Sequence, residues 1–277
     1  MSFVVKQTLN IGVFDSGMGG LTVLKELIRL FPQAHYHYFG DTARLPYGSK
    51  SVETVAKYAR SSARFLQSRG ADLLVVACNT ATALALEQIK DALRIPVIGV
   101  VEPGASHAAE VSRSRKVAVI ATEATVASHA YQRALKKRGI MAREKACPLF
   151  VPLVEEGWTE HGVTRQVAEI YLNELFEYDS ETDVLLLGCT HYPLLSPLLR
   201  RLTPPGVTIV DSAEATAQAV MKHFKKNKNH HSSSSLSRNS LPKLSFSATD
   251  SVEKFQRLGQ HFLGQNIEEV ELVRLKV

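Results

Sequence analysis

The sequence contains few cysteines and no long apolar run. Three of its 277 residues are cysteine, and no stretch reaches the ~18 uninterrupted apolar residues that a membrane helix needs. Cys78, Cys147 and Cys189 are too few and too scattered for a disulfide framework, and none belongs to a CxxC pair. The first residues, MSFVVKQTLN, lack the features of a secretion signal. We therefore expect a reduced, cytoplasmic protein that does not enter a membrane.

Acidic residues are missing from one segment. The net charge is +6, yet residues 215–249 contain six basic residues and no acid, while the rest of the chain has 27 residues of each sign. The basicity therefore belongs to this segment and not to the whole surface. A solvated helix end that runs into a loop explains it, and nucleic-acid binding through residues 222–243 is the alternative.

Hydrophobic residues make up 45% of the chain, enough for one large core or two modest ones. Short apolar runs, which predict buried strands, alternate with amphipathic stretches, which predict helices. Strands are predicted at residues 11–14, 36–39, 73–77, 97–101, 117–121, 184–187 and 207–210. Helices are predicted at residues 20–30, 52–68, 80–93, 125–137, 164–176 and 212–226. This alternation indicates an α/β protein with mainly parallel sheets, each covered on both faces.

The two halves of the chain resemble each other. In the first half one strand ends at Asp15 and another ends 63 residues later at Cys78; in the second half the equivalent residues are Thr122 and, 67 residues later, Cys189. Two similar α/β domains facing each other across a cleft are the simplest account, and chance similarity of strand–turn–helix junctions is the alternative.

The domain boundaries follow from this repeat. We predict a discontinuous first domain at residues 1–101 and 211–277, and a second domain at residues 102–210. Residues 227–240 have low complexity and predict a mobile loop. The chain after this loop predicts a strand, a helix and a strand that pack back on the first half.

Cys78 and Cys189 lie at positions that are typical of functional residues in α/β proteins. Each follows a buried strand and precedes a helix, where ligands bind in open α/β sheets and where a helix N-terminus stabilises a thiolate. Cys147 lacks such a setting and is explained as core filling. A pair of thiols suits proton transfer, because one thiolate can remove a proton from one face of a carbon while the opposite thiol returns one to the other face. Such a transfer inverts the stereocentre.

Other uses of the two thiols stay open. A Cys78–Cys189 disulfide would make a thiol redox protein, although the cytosol disfavours disulfides. Cys78, Cys189 and His191 are a sparse ligand set for a metal ion. A Cys–His nucleophile would leave the second thiol without a role.

Three carboxylate or imidazole side chains are further candidates. Asp15 opens the sequence DSGMGG, where it is either a helix cap or a group that faces the substrate. That sequence is not GxGxxG and has no Walker lysine, so it indicates a nucleotide only weakly. His191, two residues after Cys189, is either structural or functional. Glu155 lies in a loop that corresponds to GDTARLPYGS, and an ordinary surface carboxylate is its alternative explanation.

Several motifs together resemble a known family. They are, in order, DSGMGGLTVLKE, GDTARLPYGSKS, VVACNTATA, IPVIGVVEPG, CPLFVPLVEEG and LLLGCTHYPLL. In this order and spacing they resemble the cofactor-independent glutamate racemases of the aspartate/glutamate racemase superfamily, and the similarity extends to FSATD and EEVELV near the end of the chain. The resemblance implies interconversion of L- and D-glutamate between two α/β domains, without pyridoxal phosphate, metal or nucleotide.

The resemblance also implies roles for individual residues. Cys78 and Cys189 match the catalytic cysteines that act on the D- and the L-enantiomer respectively, with Asp15 assisting Cys78, and His191 and Glu155 assisting Cys189. The substrate-binding positions are Asp15, Ser16, Tyr47, Gly48, Asn79, Thr80, Thr122, Thr125, Thr190 and His191. In the motif TEAT, Ala124 stands where the family has glycine, and alanine restricts the turn if a positive φ is required there.

The biological context is likewise implied by the resemblance. It includes D-glutamate supply for bacterial peptidoglycan, a homodimer and, in some members, an interaction with DNA gyrase. Aspartate or another amino acid is the alternative substrate.

Overall fold

The structure, a computed structural model, describes residues 9–177, 181–227 and 242–275. Its strands are β1 (Asn10–Asp15), β2 (His35–Gly40), β3 (Leu73–Val76), β4 (Val97–Gly99), β5 (Lys116–Ala121), β6 (Met141–Ala146), β7 (Val184–Gly188), β8 (Thr208–Asp211), β9 (Leu244–Ala248) and β10 (Glu271–Leu272). Its helices are α1 (Leu21–Leu30), α2 (Val52–Ser68), α3 (Asn79–Ala92), α4 (Val101–Val111), α5 (Glu123–Ala127), α6 (Ala130–Lys136), α7 (Phe150–Glu155), α8 (Gly162–Phe176), α9 (Ser196–Leu202), α10 (Ser212–Asn227) and α11 (Val252–Leu263). Short 3-10 helices lie at Thr42–Arg44, Tyr47–Ser49 and Tyr192–Leu195.

Two parallel sheets form the frame of the molecule. The first sheet has the order β10-β9-β2-β1-β3-β4, and the second has the order β6-β5-β7-β8. In each sheet the first four strands met along the chain are arranged second, first, third, fourth. The α/β prediction is confirmed, and the repeated strand order supports related halves. We call the first sheet with α1–α3 and α11 the first lobe, and the second sheet with α4–α9 the second lobe.

The strand order also fixes where a ligand can bind. β3 and β7 are buried at every residue, because helices cover both faces of each sheet. In open sheets of this kind the binding crevice lies outside the carboxyl ends of the strands, where the strand order reverses. In the first lobe this point lies between the ends of β1 and β3, and in the second between the ends of β5 and β7.

The two lobes share apolar packing away from that crevice. α10 packs against α1 of the first lobe and α4 of the second. One buried cluster includes Leu24 and Leu27 of α1, Ala213 and Ala217 of α10, and Leu185 of β7. A continuous core therefore holds the carboxyl edges of both sheets toward each other.

The structure differs from the predicted elements in several places, and helices α4, α7 and α9 were not among those predicted. β6 was not predicted, because this edge strand alternates exposed and half-buried residues over MAREKA and lacks an apolar run. The helix predicted at residues 125–137 is wrong: α5 and α6 are separate helices, divided where His129 adopts a φ of 52°. The strand predicted at residues 97–101 ends at Gly99, since α4 begins at Val101.

The chain after α10 returns to the first sheet. β9 pairs in parallel with β2, and β10 pairs with β9, so the strand, helix and strand expected there are present. Residue 227 ends α10, whereas the rest of the loop predicted at residues 227–240 lies outside the described residues. The domain boundaries stay a prediction. In the described part of the chain no helix is long and apolar enough to cross a membrane.

Candidate active site

A small cavity lies between the lobes at the carboxyl ends of both sheets. About 40 Å³ of it is accessible to water. The first lobe contributes Ser16, Leu45, Pro46, Tyr47, Gly48, Cys78, Asn79 and Thr80 to its wall, and the second contributes Thr122, Val151, Glu155, Cys189, Thr190 and His191. A mainly apolar depression of about 300 Å³, lined in part by Pro148 and Pro152, adjoins it and shares Thr122 and Glu155 with its wall.

Cys78 lies at the first-lobe wall of the cavity, where it makes two hydrogen bonds and lies near an acidic side chain. It caps α3, where the Ala81 N–H donates to its sulfur at 3.4 Å, and its thiol donates to Ser16 Oγ at 3.5 Å. Burial, together with the nearby Asp15 carboxyl, raises the pKa of Cys78 to about 12. Cys78 is therefore a thiol in the free protein at neutral pH.

Asp15 ends β1 and lies behind the cavity wall. It is fully buried, and its Oδ2 accepts a hydrogen bond from the Gly17 N–H at 3.0 Å. Its Oδ1 has no partner among the described residues. Burial raises the pKa of Asp15, although the His191 charge and the backbone N–H groups of the turn lower it.

Cys189 lies at the second-lobe wall beside a cationic ring. It directly follows β7 and is 7% exposed. His191 Nε2 lies 3.3 Å from Glu155 Oε1. Burial lowers the pKa of His191, but its contacts with Cys189 and Glu155 outweigh that effect and raise the pKa to about 10. The ring is therefore an imidazolium at neutral pH, and it lies beside the Cys189 side chain.

Glu155 connects this ring to the first lobe. Its Oε2 accepts a hydrogen bond from Lys254 Nζ of α11 at 2.8 Å, and its side chain is 12% exposed. Burial would raise the pKa of Glu155, yet His191 and Lys254 lower it to about 2. Glu155 is therefore a partly buried carboxylate between two cations, and its explanation as an ordinary surface residue is wrong.

The glycine-rich turn after Asp15 lets the two lobes approach closely. A Cβ added at Gly19 would lie 2.4 Å from Thr190 Oγ1 and 2.5 Å from His191 Nδ1. Thr22 of α1 donates to the Thr190 carbonyl at 3.4 Å in the same region. The sequence SGMGG therefore serves contact between the lobes, which accounts for its departure from nucleotide-binding patterns.

A cluster of three hydroxyl groups joins the lobes on another side of the cavity. Thr80 Oγ1 lies 2.9 Å from Thr122 Oγ1 and 3.2 Å from Thr125 Oγ1, and the last two are 2.9 Å apart. Thr80 and Thr122 line the cavity, whereas Thr125 lies behind them. Ala124 belongs to α5 and has no positive φ, so alanine brings no strain to this motif.

Asn79 is held by a residue of the opposite lobe. Tyr131 of α6, which is fully buried, donates its hydroxyl hydrogen to Asn79 Oδ1 at 2.5 Å. Asn79 lines the cavity, and its buried Nδ2 has no partner among the described residues. The amide is therefore oriented with a free donor available to a ligand.

Tyr47 lines the cavity, and its hydroxyl is bound within the first lobe. The hydroxyl donates to Asp41 Oδ2 at 2.6 Å, and Asp41 Oδ1 accepts from Arg44 at 2.7 Å and from Thr249 at 2.9 Å. The neighbouring Gly48 allows close approach to the second lobe, because a Cβ there would lie 2.7 Å from Thr122 Cβ. This network fixes the loop that closes one side of the cavity.

The structure thus brings most of the predicted site residues to one cavity. Of the predicted positions, only Asp15 and Thr125 are not at its wall. Sequence reasoning missed Asp41, Tyr131 and Lys254, which each bind a residue of the cavity wall and belong to no motif with an evident chemistry. The only available signal for Asp41 was its place in GDTARLPYGS, next to the residues that were predicted.

The structure also bears on the third cysteine, on metal binding and on the basic segment. Cys147 is buried away from the cavity wall, and all three cysteines are free. Among the described residues no group of three or more His, Cys, Asp or Glu side chains could hold a metal ion. Lys222 and Lys226 are exposed at the end of α10, and Lys228 and Arg238 of the basic segment lie outside the described residues. Nucleic-acid and DNA gyrase binding therefore stay predictions.

Comparison with known proteins gives one family. Residues 11–220 match the family described as Asp/Glu/Hydantoin racemase. A glutamate racemase from Koribacter versatilis is 55% identical over 282 residues, which cover 96% of this chain and 97% of that protein.

Solved structures agree with this match. Glutamate racemase isoform RacE1 from Bacillus anthracis superposes with a TM-score of 0.89 at 38% identity, covering 98% of both chains. Glutamate racemase from Francisella tularensis, solved in complex with D-glutamate, gives a TM-score of 0.86 at 34% identity, covering 96% of this chain and 98% of that one.

Proposed function

Because the chain belongs to the Asp/Glu/Hydantoin racemase family, we propose that it interconverts L- and D-glutamate with two cysteines, one of which removes a proton from the α-carbon while the other delivers a proton to its opposite face. The observation that carries this proposal is that Cys78 and Cys189 follow equivalent strands of the two lobes and line the same cavity from opposite lobes. Two proton donors and acceptors on opposite sides of one carbon are what inversion of a stereocentre needs.

The charges around the two sulfurs support a direction for each transfer. Cys189, beside the His191 imidazolium, is the base that removes the α-proton of L-glutamate. Beside Asp15, Cys78 is the thiol that delivers a proton to the opposite face and yields D-glutamate. The reverse reaction starts from the opposite protonation state, in which the ammonium group of D-glutamate and the N-terminus of α3 stabilise the Cys78 thiolate.

Proton removal also requires stabilisation of the negative charge that develops on the substrate. The α-proton of an amino acid is weakly acidic, so a thiolate alone is insufficient. Ser16, Asn79, Thr80 and Thr190 line the cavity and can donate hydrogen bonds to the substrate carboxylate as charge moves onto it. Asn79 Nδ2 has no partner among the described residues, and Tyr131 holds the amide that carries it. The small volume of the cavity favours a dry site, in which such hydrogen bonds are strongest.

A circular-dichroism assay tests the substrate. The purified protein is incubated with L-glutamate, L-aspartate and a panel of other L-amino acids, and loss of optical activity is followed. We expect rapid loss with glutamate alone and the same end point from D-glutamate. Faster loss with aspartate or another amino acid would assign a different substrate, and no loss with any of them would reject racemase activity.

The role in the cell follows from the reaction. D-glutamate is required for bacterial peptidoglycan, so we infer that the protein supplies it. The resemblance further implies a homodimer, which light scattering of the purified protein would test.

A further inference from the structure

Lys254 makes a contact between the lobes that no sequence motif indicates. It lies in the first turn of α11 in the first lobe, and its Nζ lies 2.8 Å from Glu155 Oε2 at the end of α7 in the second lobe. The Lys254 side chain is 39% exposed, that of Glu155 is 12% exposed and that of His191 is 7% exposed. The three groups therefore form a path from solvent to the buried ring beside Cys189.

The position of Lys254 is not explained by helix stability. A cation in the first turn faces the positive end of the helix dipole, which is mildly unfavourable. The start of α11 is nevertheless fixed, because the Asp250 N–H donates to Thr42 Oγ1 at 2.8 Å. Farther along the helix, Phe262 packs edge-on against the His191 ring, with centroids 5.2 Å apart. The helix thus holds Lys254 and one face of His191 in a fixed relation.

Each oxygen of the Glu155 carboxylate faces one cation. Its two oxygens face His191 and Lys254, and these two cations are the groups that lower its pKa. Without Lys254, one oxygen would lose its partner and the carboxylate could turn away from His191. The lobes would also lose an ion pair across the cleft.

We propose that Lys254 is a positioning residue, which ties Glu155 to the first lobe and thereby holds the His191 imidazolium beside Cys189. This inference rests on the proposed racemase function and adds a residue to it. Lys254 does not line the cavity, so it acts through Glu155 and not on the substrate.

The test uses three variants of the full chain. Lys254→Gln removes the charge, Lys254→Arg keeps it, and Arg257→Gln removes a charge from an exposed residue of the same helix. Initial rates with L- and with D-glutamate are measured from about pH 6 to about pH 10, and the melting temperature is recorded for each protein.

We expect Lys254→Gln to lose about tenfold in kcat/KM. The loss must be equal in both directions, because the equilibrium constant of a racemisation is one. The acid limb of the kcat/KM profile should move to higher pH, since a nearby positive charge and a well-placed imidazolium both favour the thiolate. Lys254→Arg should recover most of the activity and the original limb, and Arg257→Gln should match the wild type.

The outcomes separate this inference from the function on which it rests. An unchanged kcat/KM and acid limb in Lys254→Gln would overturn the role of Lys254 while leaving the racemase intact. A lower melting temperature with an unchanged profile would overturn it too, because the ion pair would then be structural only. A wild-type protein that turns over neither enantiomer would instead reject the proposed function.

Discussion

Cys78 and Cys189 differ in the charge of their neighbours. Asp15 lies near the first, and the His191 imidazolium lies beside the second. Two chemically identical side chains are thereby placed in electrostatically different surroundings, and burial beside Asp15 raises the pKa of Cys78. A mechanism in which one sulfur accepts a proton while the other donates one requires this difference.

Replacing either cysteine should abolish racemisation in both directions. In Cys78→Ala or Cys189→Ala, one face of the carbon has no proton donor or acceptor, so turnover of both enantiomers should fall by at least about 10³-fold. The measurement is the circular-dichroism rate from pure L- and pure D-glutamate. Cys147→Ala is the control, because it removes a buried thiol away from the cavity at a cost of about 1 kcal/mol in the free energy of unfolding. Near-normal turnover in either active-site variant would contradict the two-base scheme.

The charge on His191 should depend on Glu155. With a pKa raised to about 10, the imidazolium persists through neutral pH and is lost only as the pH rises through that value. Glu155→Gln removes the anion, so the midpoint should fall by about one unit or more. Titration of the His191 ring by NMR in both proteins measures this shift. An identical midpoint in the variant would show that Glu155 does not hold the proton on the ring.

At the scale of elements, the site is assembled from strand ends and helix starts. Apolar runs followed by Cys78, Thr122 and Cys189 were sufficient to predict that these residues line one cavity between the two lobes. Strands buried on both faces are easily recognised from sequence, whereas the half-exposed edge strand β6 is not. Residues that act across the cleft could not be predicted, because the partner of Tyr131 is 52 positions away and that of Lys254 is 99.

Helix α6 should contribute to the site through a single hydroxyl group. Tyr131→Phe removes the donor to Asn79 Oδ1, so the amide can rotate and its Nδ2 loses its fixed direction. We expect about a tenfold fall in kcat/KM for glutamate with an intact fold. Tyr36→Phe is the matched control, since that buried hydroxyl donates to the carbonyl groups of Leu27 and Phe31 away from the site. Equal kinetics for the two variants would rule out a role for Tyr131 in orienting Asn79.

The turn between β1 and α1 should tolerate no side chain at Gly19. The Cβ of Gly19→Ala would overlap Thr190 and His191 of the second lobe, so the lobes or the ring must move. We expect at least about a tenfold loss of activity in steady-state assays. Gly162→Ala is the control, because nothing lies within 4 Å of a Cβ there and its φ is not positive. Wild-type rates for Gly19→Ala would mean that the close approach of the lobes is unnecessary for turnover.

At the scale of the whole molecule, the repeated strand order gives the reaction its symmetry. Each lobe presents the same edge of its sheet to the cavity, and each supplies one cysteine there. Because substrate and product are mirror images at one carbon, two equivalent lobes can serve the forward and the reverse reaction in the same way. The lobes differ in the charged neighbours of their cysteines, with Asp15 on one side and His191 with Glu155 on the other.

Isotope incorporation in D₂O tests the two-base account most directly. The reaction starts from unlabelled L-glutamate, and at low conversion the α-position of both enantiomers is analysed by mass spectrometry after chiral separation. Because Cys78 delivers a solvent-derived deuteron while Cys189 keeps the proton it removed, D-glutamate should carry deuterium from the first turnovers and the remaining L-glutamate should carry protium. Deuterium appearing in the remaining L-glutamate as fast as in the D-glutamate would contradict the account, since one base would then be exchanging protons on a single face.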